Sequence, residues 1–443
     1  MLGRMIIYRV LHNQNFRNGT LFAFFSFFNT GVNFVIMLVL ARFIMPDSYG
    51  QLSLYTTMVT LLSIFVCLNT NGFIGVNFFI SPKEKMHRLL NVVLLTSLLV
   101  YMVFLTLTFC FSTKFEEVSG LTLLYQFYAL SFCLLNVMNV LLLDIWRLEE
   151  KVWSYGTFSF LQVLGNLILT ILFVGILKWD WQGRMYAQVI TCTFFAIVAL
   201  YLLVKKDYLH CIFPRKEDFV GAYKFGVPLL PHSTSFWLRQ GLDRYVINAF
   251  ATQSVVGLFS FAANFASIIQ IVGSAFNASN SVYIYKTLSD LDDVKMKTLR
   301  RNCQLLVFFY SALTLVVFIG AALFIPLVFP KYETSVKLVF PLCVGAMFQC
   351  FYLVYVNILF FYKKTKELMY ITFSLSLLHV ILSFLLTRYG VMYTACVSIL
   401  SSVLISFFVY KYSLLVLKKN YINSCHERFD YNQSGSIDST NSA

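Results

Sequence analysis

The sequence predicts an all-α integral membrane protein of about twelve transmembrane helices in two six-helix bundles, with both termini cytoplasmic. Three observations lead there. The 443 residues are 59% hydrophobic and only 12% charged, about half the charged share of a soluble domain. Apolar runs long enough to cross a bilayer recur along the chain. The chain also resembles itself at a fixed offset, as a duplicated bundle would.

In order, the runs fall at 19–44, 50–72, 89–112, 119–146, 154–177 and 184–204, then 225–250, 254–276, 303–329, 335–361, 367–387 and 390–416. Twelve spans of about 20 residues consume roughly 240 positions, which leaves loops and tails but no soluble domain. The N-terminal MLGRMIIYRVLHNQNFRNG lacks the apolar core and small-residue cleavage site of a leader, so the first span is expected to drive insertion. Gly50-Gln-Leu-Ser53 opens the second span as Gly257-Leu-Phe-Ser260 opens the eighth, an offset of 207, and Gly183-Arg-Met-Tyr186 matches Gly390-Val-Met-Tyr393 at the same offset. The expected division is 1–205 and 206–417 for the two bundles, with 418–443 a disordered cytoplasmic tail rich in Asn, Ser and Asp. An even helix count per half returns the chain to its starting side, so the halves are parallel and enclose a cavity between them.

Orientation follows from the basic residues. With the N-terminus inside, Arg42, Lys114, Lys178, Arg184, Lys331, Lys337 and Arg388 fall outside, Arg239 and Arg244 stay within the seventh span, and the other 25 of 34 Lys and Arg are cytoplasmic. The formal charge of +14 is accounted for by those loops, and no nucleic-acid partner is needed. The ten cysteines are scattered without CxxC or Cys/His spacing, so neither a disulfide framework nor a metal site is expected. Ser289-Asp290-Leu-Asp-Asp293 followed by Lys295, Lys297, Arg300 and Arg301 reads as a capped cytoplasmic helix rather than a metal-nucleotide motif.

The seventh span, PLLPHSTSFWLRQGLDRY over 228–245, holds the principal candidates. Arg239 lies about 18 Å from the cytoplasmic end at 1.5 Å per residue, near mid-membrane, where a charge facing lipid is costly. Arg239 and Asp243 are four residues apart and could pair on one helical face. Two guanidinium groups, Arg239 and Arg244, against one carboxylate leave a cationic site suited to phosphate oxygens; an ion pair that only locks two helices is the alternative. Asp243 is also a candidate proton acceptor for H+ or Na+ coupling, and His232 a candidate titrating group or a polar residue in a proline-broken turn. Arg17, Asp144 and Arg147 are candidates for a cytoplasmic entrance or for interfacial anchoring. Asn29, Asn33, Asn69, Asn71, Gln162 and Asn166 could line the cavity or bond between helices. No nucleotide, hydrolase or metalloprotease motif is present, so no enzyme activity and no bound cofactor are expected.

Residues 17–57, with Ala41-Arg42, Pro46 and Tyr49-Gly50, resemble the opening of Wzx-type polysaccharide flippases, in the superfamily that also contains MATE multidrug antiporters and lipid II flippases. Pro228, Pro231, Asp243-Arg244 and Val256-Gly257 match that family's seventh and eighth helices, and the Lys363-Lys364-Thr-Lys366 turn its tenth. The resemblance spans about residues 15–416. It implies a MATE-like, V-shaped pair of bundles in the bacterial inner membrane that moves an undecaprenyl-diphosphate-linked oligosaccharide to the periplasmic leaflet by alternating access. The product would feed O-antigen, lipopolysaccharide or capsule, with the lipid-linked oligosaccharide, membrane lipids, the polysaccharide polymerase and a chain-length regulator as partners. Two other functions remain open from sequence. A cationic-drug antiporter should carry buried carboxylates in excess of arginines, and a glycan polymerase a large external loop and an acid/base pair.

Overall fold

The computed structural model describes residues 14–289 and 291–438. The first half comprises α1 (Gln14–Phe43), α2 (Pro46–Val66), a short α3 (Asn71–Asn77), α4 (Lys83–Ser119), α5 (Leu123–Leu148), α6 (Val152–Thr170) and α7 (Asp180–Lys205). The second comprises α8 (Lys216–Gly226), α9 (Leu230–Gln240), α10 (Leu242–Phe250), α11 (Gln253–Leu288), α12 (Asp293–Val328), α13 (Val336–Phe361), α14 (Thr365–Leu386) and α15 (Val391–Asp438). No strand occurs among the described residues. Eleven helical segments there are long and apolar enough to cross a membrane, and each overlaps a run read from the sequence.

The seventh crossing departs from expectation. It is not one helix but α8, a 3-10 turn at Val227–Leu229, α9 and α10. Pro228 and Pro231 remove backbone donors and crowd the preceding turn, and Gly241 interrupts the chain between α9 and α10. A Cβ on Gly241 would stand 2.6 Å from the Trp237 Nε1 and 3.0 Å from Thr57 Cγ2. The bare backbone there lets the Trp237 indole donate to the Thr57 carbonyl of α2 at 3.0 Å. At the other end of the chain α15 continues as helix to Asp438, past residue 417 where composition placed the start of a disordered tail. No Pro or Gly falls between Val391 and Gly435 to stop it.

Within the first half, α5 packs on α7, α4 and α2, and α1 on α6; within the second, α13 sits between α11 and α15 with α12 and α14 flanking. The halves meet chiefly along α2 and α11, and the principal apolar core runs through both, with Leu52, Leu54, Phe261 and Ile269 fully enclosed. The matched segments of the internal repeat touch each other. Ser53 Oγ lies 2.6 Å from Ser260 Oγ, and Cβ atoms built on Gly50 and Gly257 would strike Gln253 O at 2.1 Å and Pro46 O at 1.9 Å.

Further contacts join the halves at the same end. Gln51 Nε2 donates to Gln253 Oε1 at 2.9 Å, Arg42 to the Val328 carbonyl at 2.8 Å, and the Tyr332 hydroxyl to the Ile44 carbonyl at 3.2 Å. The Tyr49 ring packs edge-on to Phe261 and Tyr332. This is the end that the Lys and Arg distribution assigns to the outside.

Candidate functional site

A cavity of about 160 Å³ lies where α9 and α10 face α11, α13 and α15, with Arg239, Asp243, Arg244, Asn264, Gln270 and Gln349 among its walls. Both guanidinium groups expected to mark the site therefore reach one cavity. The expected Arg239–Asp243 pair does not form. Both residues line the one cavity, but Arg239 turns to Gln349 of α13 and Asp243 to His379 of α14 and Ser398 of α15.

Each charge has other partners instead. Arg239, 7% exposed, donates from Nη1 to Gln349 Oε1 at 3.2 Å and from Nε to the Ser235 carbonyl at 3.3 Å, and its guanidinium sits 5.0 Å from the Phe236 ring centre. Asp243 accepts from His379 Nε2 at 3.0 Å and Ser383 Oγ at 2.8 Å on one oxygen, and from Ser398 Oγ at 2.9 Å on the other. His379 Nδ1 in turn lies 3.0 Å from Ser401 Oγ. Arg244 donates from Nε to Ser53 Oγ at 2.8 Å and Ser260 Oγ at 3.2 Å, and from Nη1 to the Gln240 carbonyl. It thus joins α10 to the touching repeats of α2 and α11.

The carboxylate is saturated by hydrogen-bond donors from α14 and α15, while Arg239 has only one side-chain acceptor, a neutral amide. Two guanidinium charges remain in the wall against one internally engaged carboxylate. Such a surface favours an anion. Arg244 also borders a second cavity of about 50 Å³ with Tyr49, Ser53 and Asn264. Ser267 and Gln270 extend the polar wall from the central cavity into a cleft of about 450 Å³ between α1 and α11, which Ser26, Thr30 and Ser274 also line.

The remaining sequence candidates lie elsewhere. His232 packs its ring 5.3 Å from Phe236 and does not line the central cavity. Asp144 and Arg147 pair with each other at 2.8 Å, away from that cavity. Asn33 donates to the Asn29 carbonyl at 3.0 Å, and Asn69 to Ser233 Oγ at 3.3 Å; these bonds run within α1 and between α2's end and α9. Asn166 holds Arg184 at 2.5 Å with Thr170 at 3.0 Å. Arg184 is accordingly enclosed at 4% exposure, not a residue of an external loop. The Arg17 side chain lies outside the described residues.

The site also contains residues that the search for Lys and Arg within spans overlooks. His379 is an ionisable side chain inside the eleventh apolar run, which is itself a signal. Gln349, Asn264, Ser398 and Ser401 carry no such signal, because single amides and hydroxyls occur throughout membrane helices.

Residues 16–284 match the family described as "Polysaccharide biosynthesis protein". An uncharacterised membrane protein of Haemophilus influenzae is 26% identical over 345 residues, covering 76% of this chain and 81% of the relative. The Lsg locus putative protein 1 of the same organism is 23% identical over 260 residues, covering 58% of this chain and 62% of the relative. Among solved structures, an inward-facing multidrug resistance MATE family transporter of the MOP superfamily aligns with a TM-score of 0.73 at 15% identity, over 88% of this chain and 96% of the other. An outward-facing MATE transporter gives 0.63 at 14% identity over 90% and 95%. A MOP superfamily transporter from Pyrococcus furiosus, described as having a binding pocket of reverse polarity, gives 0.63 at 14% identity over 89% and 94%. The fold is that of the MATE transporters.

Proposed function

The chain belongs to the polysaccharide biosynthesis protein family, and on that premise we propose that this multi-pass membrane protein is a flippase for undecaprenyl-diphosphate-linked oligosaccharide repeat units. One observation carries the reading. Two arginines wall a polar cavity at the joint of the halves, and that wall continues through Ser267 and Gln270 into the α1–α11 cleft. An amphiphile with a diphosphate head and a long polyprenyl tail fits such a site, with the head at Arg239 and Arg244 and the tail left in the bilayer through the cleft.

The closed end supports export from the cytoplasmic to the periplasmic leaflet. The contacts between α2 and α11 seal the halves on the side assigned to the periplasm, so the cavity is posed to receive its cargo from the cytoplasmic leaflet. Release to the periplasmic leaflet requires those contacts to part and the opposite ends to approach, by rocking of one half against the other. The Asp243–His379 pair, a carboxylate and an imidazole 3.0 Å apart with the Ser383 and Ser398 hydroxyls on the same carboxylate, is our candidate for H+ or Na+ coupling. The cargo would supply O-antigen or capsule assembly, with the polysaccharide polymerase and chain-length regulator as downstream partners.

A cationic-drug antiporter is the competing reading for this fold. Here the charge balance opposes it, since the single carboxylate in the wall is consumed by three donors. The test is a proteoliposome assay with a short-chain polyprenyl-diphosphate oligosaccharide. Movement into the protected leaflet by the wild type, with a sharp loss in Arg239→Ala, is the expected result. Absence of movement under either sign of ion gradient, together with transport of a lipophilic cation, would overturn the reading.

A further inference from the structure

A further cavity, about 620 Å³, lies apart from the central one, between the ends of α12, α13 and α15. Its rim carries Lys297 and Arg300 of α12 and Lys418 of α15, all exposed. None of the three makes a hydrogen bond or ion pair among the described residues. Among the described residues the one carboxylate in the wall, Asp293, is engaged by the Tyr421 hydroxyl at 2.6 Å. Below the rim the wall is mostly apolar: Leu299, Ile358, Leu414 and Leu417, with the Tyr355 and Tyr410 rings packed 4.8 Å apart and Gln304 the polar exception among the described residues.

The groove thus has a cationic mouth and an apolar floor. Its mouth is at the end of α12 that the Lys and Arg distribution assigns to the cytoplasm, the face where bilayers present anionic head groups. The α12 surface beside it is bare to the bilayer, with Leu305 and Phe308 58% and 73% exposed. A soluble anion would use the mouth and leave the floor empty. A phospholipid fills both, with its phosphate between Lys297, Arg300 and Lys418 and the upper part of its acyl chains against Leu414 and the half-buried Tyr355 and Tyr410 rings.

We propose that this groove is a binding site for one anionic phospholipid of the cytoplasmic leaflet. The assignment rests on the membrane fold and not on what the central cavity carries. The test is native mass spectrometry of the full chain released from nanodiscs holding phosphatidylglycerol and phosphatidylcholine in equal amounts. Wild type is expected to retain one phosphatidylglycerol with a preference of about tenfold or more. K297Q/R300Q/K418Q should lose that preference, while the control K363Q/K364Q, on the same face but outside the groove, keeps it. All five charges are on the surface, and equal melting temperatures would verify that the variants fold. R300Q alone should give an intermediate preference. Equal retention of the two lipids by wild type, or an undiminished preference in the triple variant, overturns the proposal. So does displacement of the lipid by equimolar glycerol phosphate, or stronger retention of a polyprenyl diphosphate than of phosphatidylglycerol.

Discussion

Asp243 and Arg239 show how differently two buried charges of one site are held. Asp243 has three side-chain donors, so Asp243→Ala would strand His379 and Ser383 without this acceptor, while Ser398 keeps the Thr394 carbonyl at 3.2 Å. Leaving buried donors unsatisfied costs about 1–3 kcal/mol each, and a clearly lower melting temperature in detergent is the expected readout. Asp243→Asn, which keeps an acceptor oxygen for one of the two serines, should cost less. Arg239 is the opposite case, with one amide acceptor and spare donors facing the cavity. Arg239→Gln should therefore fold with little change in melting temperature while binding a lipid diphosphate about 10- to 100-fold more weakly, the worth of hydrogen bonds to a charged group. Arg239→Lys keeps the charge but not the fork and should fall between them. Both arginines and the aspartate are legible in the sequence because charge within an apolar run is rare. Their partners are not, since Gln349, His379, Ser383 and Ser398 come from helices distant in sequence.

At the scale of elements, eleven crossings follow from hydropathy alone and the seventh does not. Pro228 and Pro231 announce a disturbed start, but the consequential break is at Gly241, where a glycine in an apolar pattern is compatible with helix continuation. Its meaning lies in a neighbour distant in sequence, the Trp237–Thr57 bond that its missing Cβ permits. Gly241→Ala should push Trp237 off that carbonyl and destabilise the fold by about 1–3 kcal/mol, the usual cost of overpacking. Gly320→Ala is the matched control. A Cβ there meets nothing within 4 Å, so thermal unfolding should be unchanged or rise by up to about 1 kcal/mol from helix propensity. If Gly241→Ala melts like wild type, the close approach is not what sets the break.

For the whole molecule, the repeat at offset 207 reveals two like halves and the fold class with them. Similarity says nothing of contact, however, and the placement of Ser53 directly against Ser260 is visible only once α2 and α11 are packed. Closure at that end should therefore be controllable with a single bond. With Ser53→Cys/Ser260→Cys oxidised, the halves cannot part there, and lipid movement across proteoliposomes should stop and then recover on reduction. Movement that continues with the cross-link formed would mean that the halves need not separate at this end during transport.

The mutual approach of Gly50 and Gly257 has a consequence for the balance between conformers. Each position is closed to a side chain by the partner helix's backbone, so a methyl group on either acts as a wedge driven into one end of the molecule only. A wedge of that kind penalises the conformer in which these ends touch and leaves the conformer in which they are apart untaxed. Gly50→Ala should then yield a folded protein whose resting population leans towards the opposite-facing form, with residues such as Tyr49 and Gln253 newly open to water-soluble labels from that side. Two small residues, alike because the halves are alike, would then bear on which way the empty protein faces.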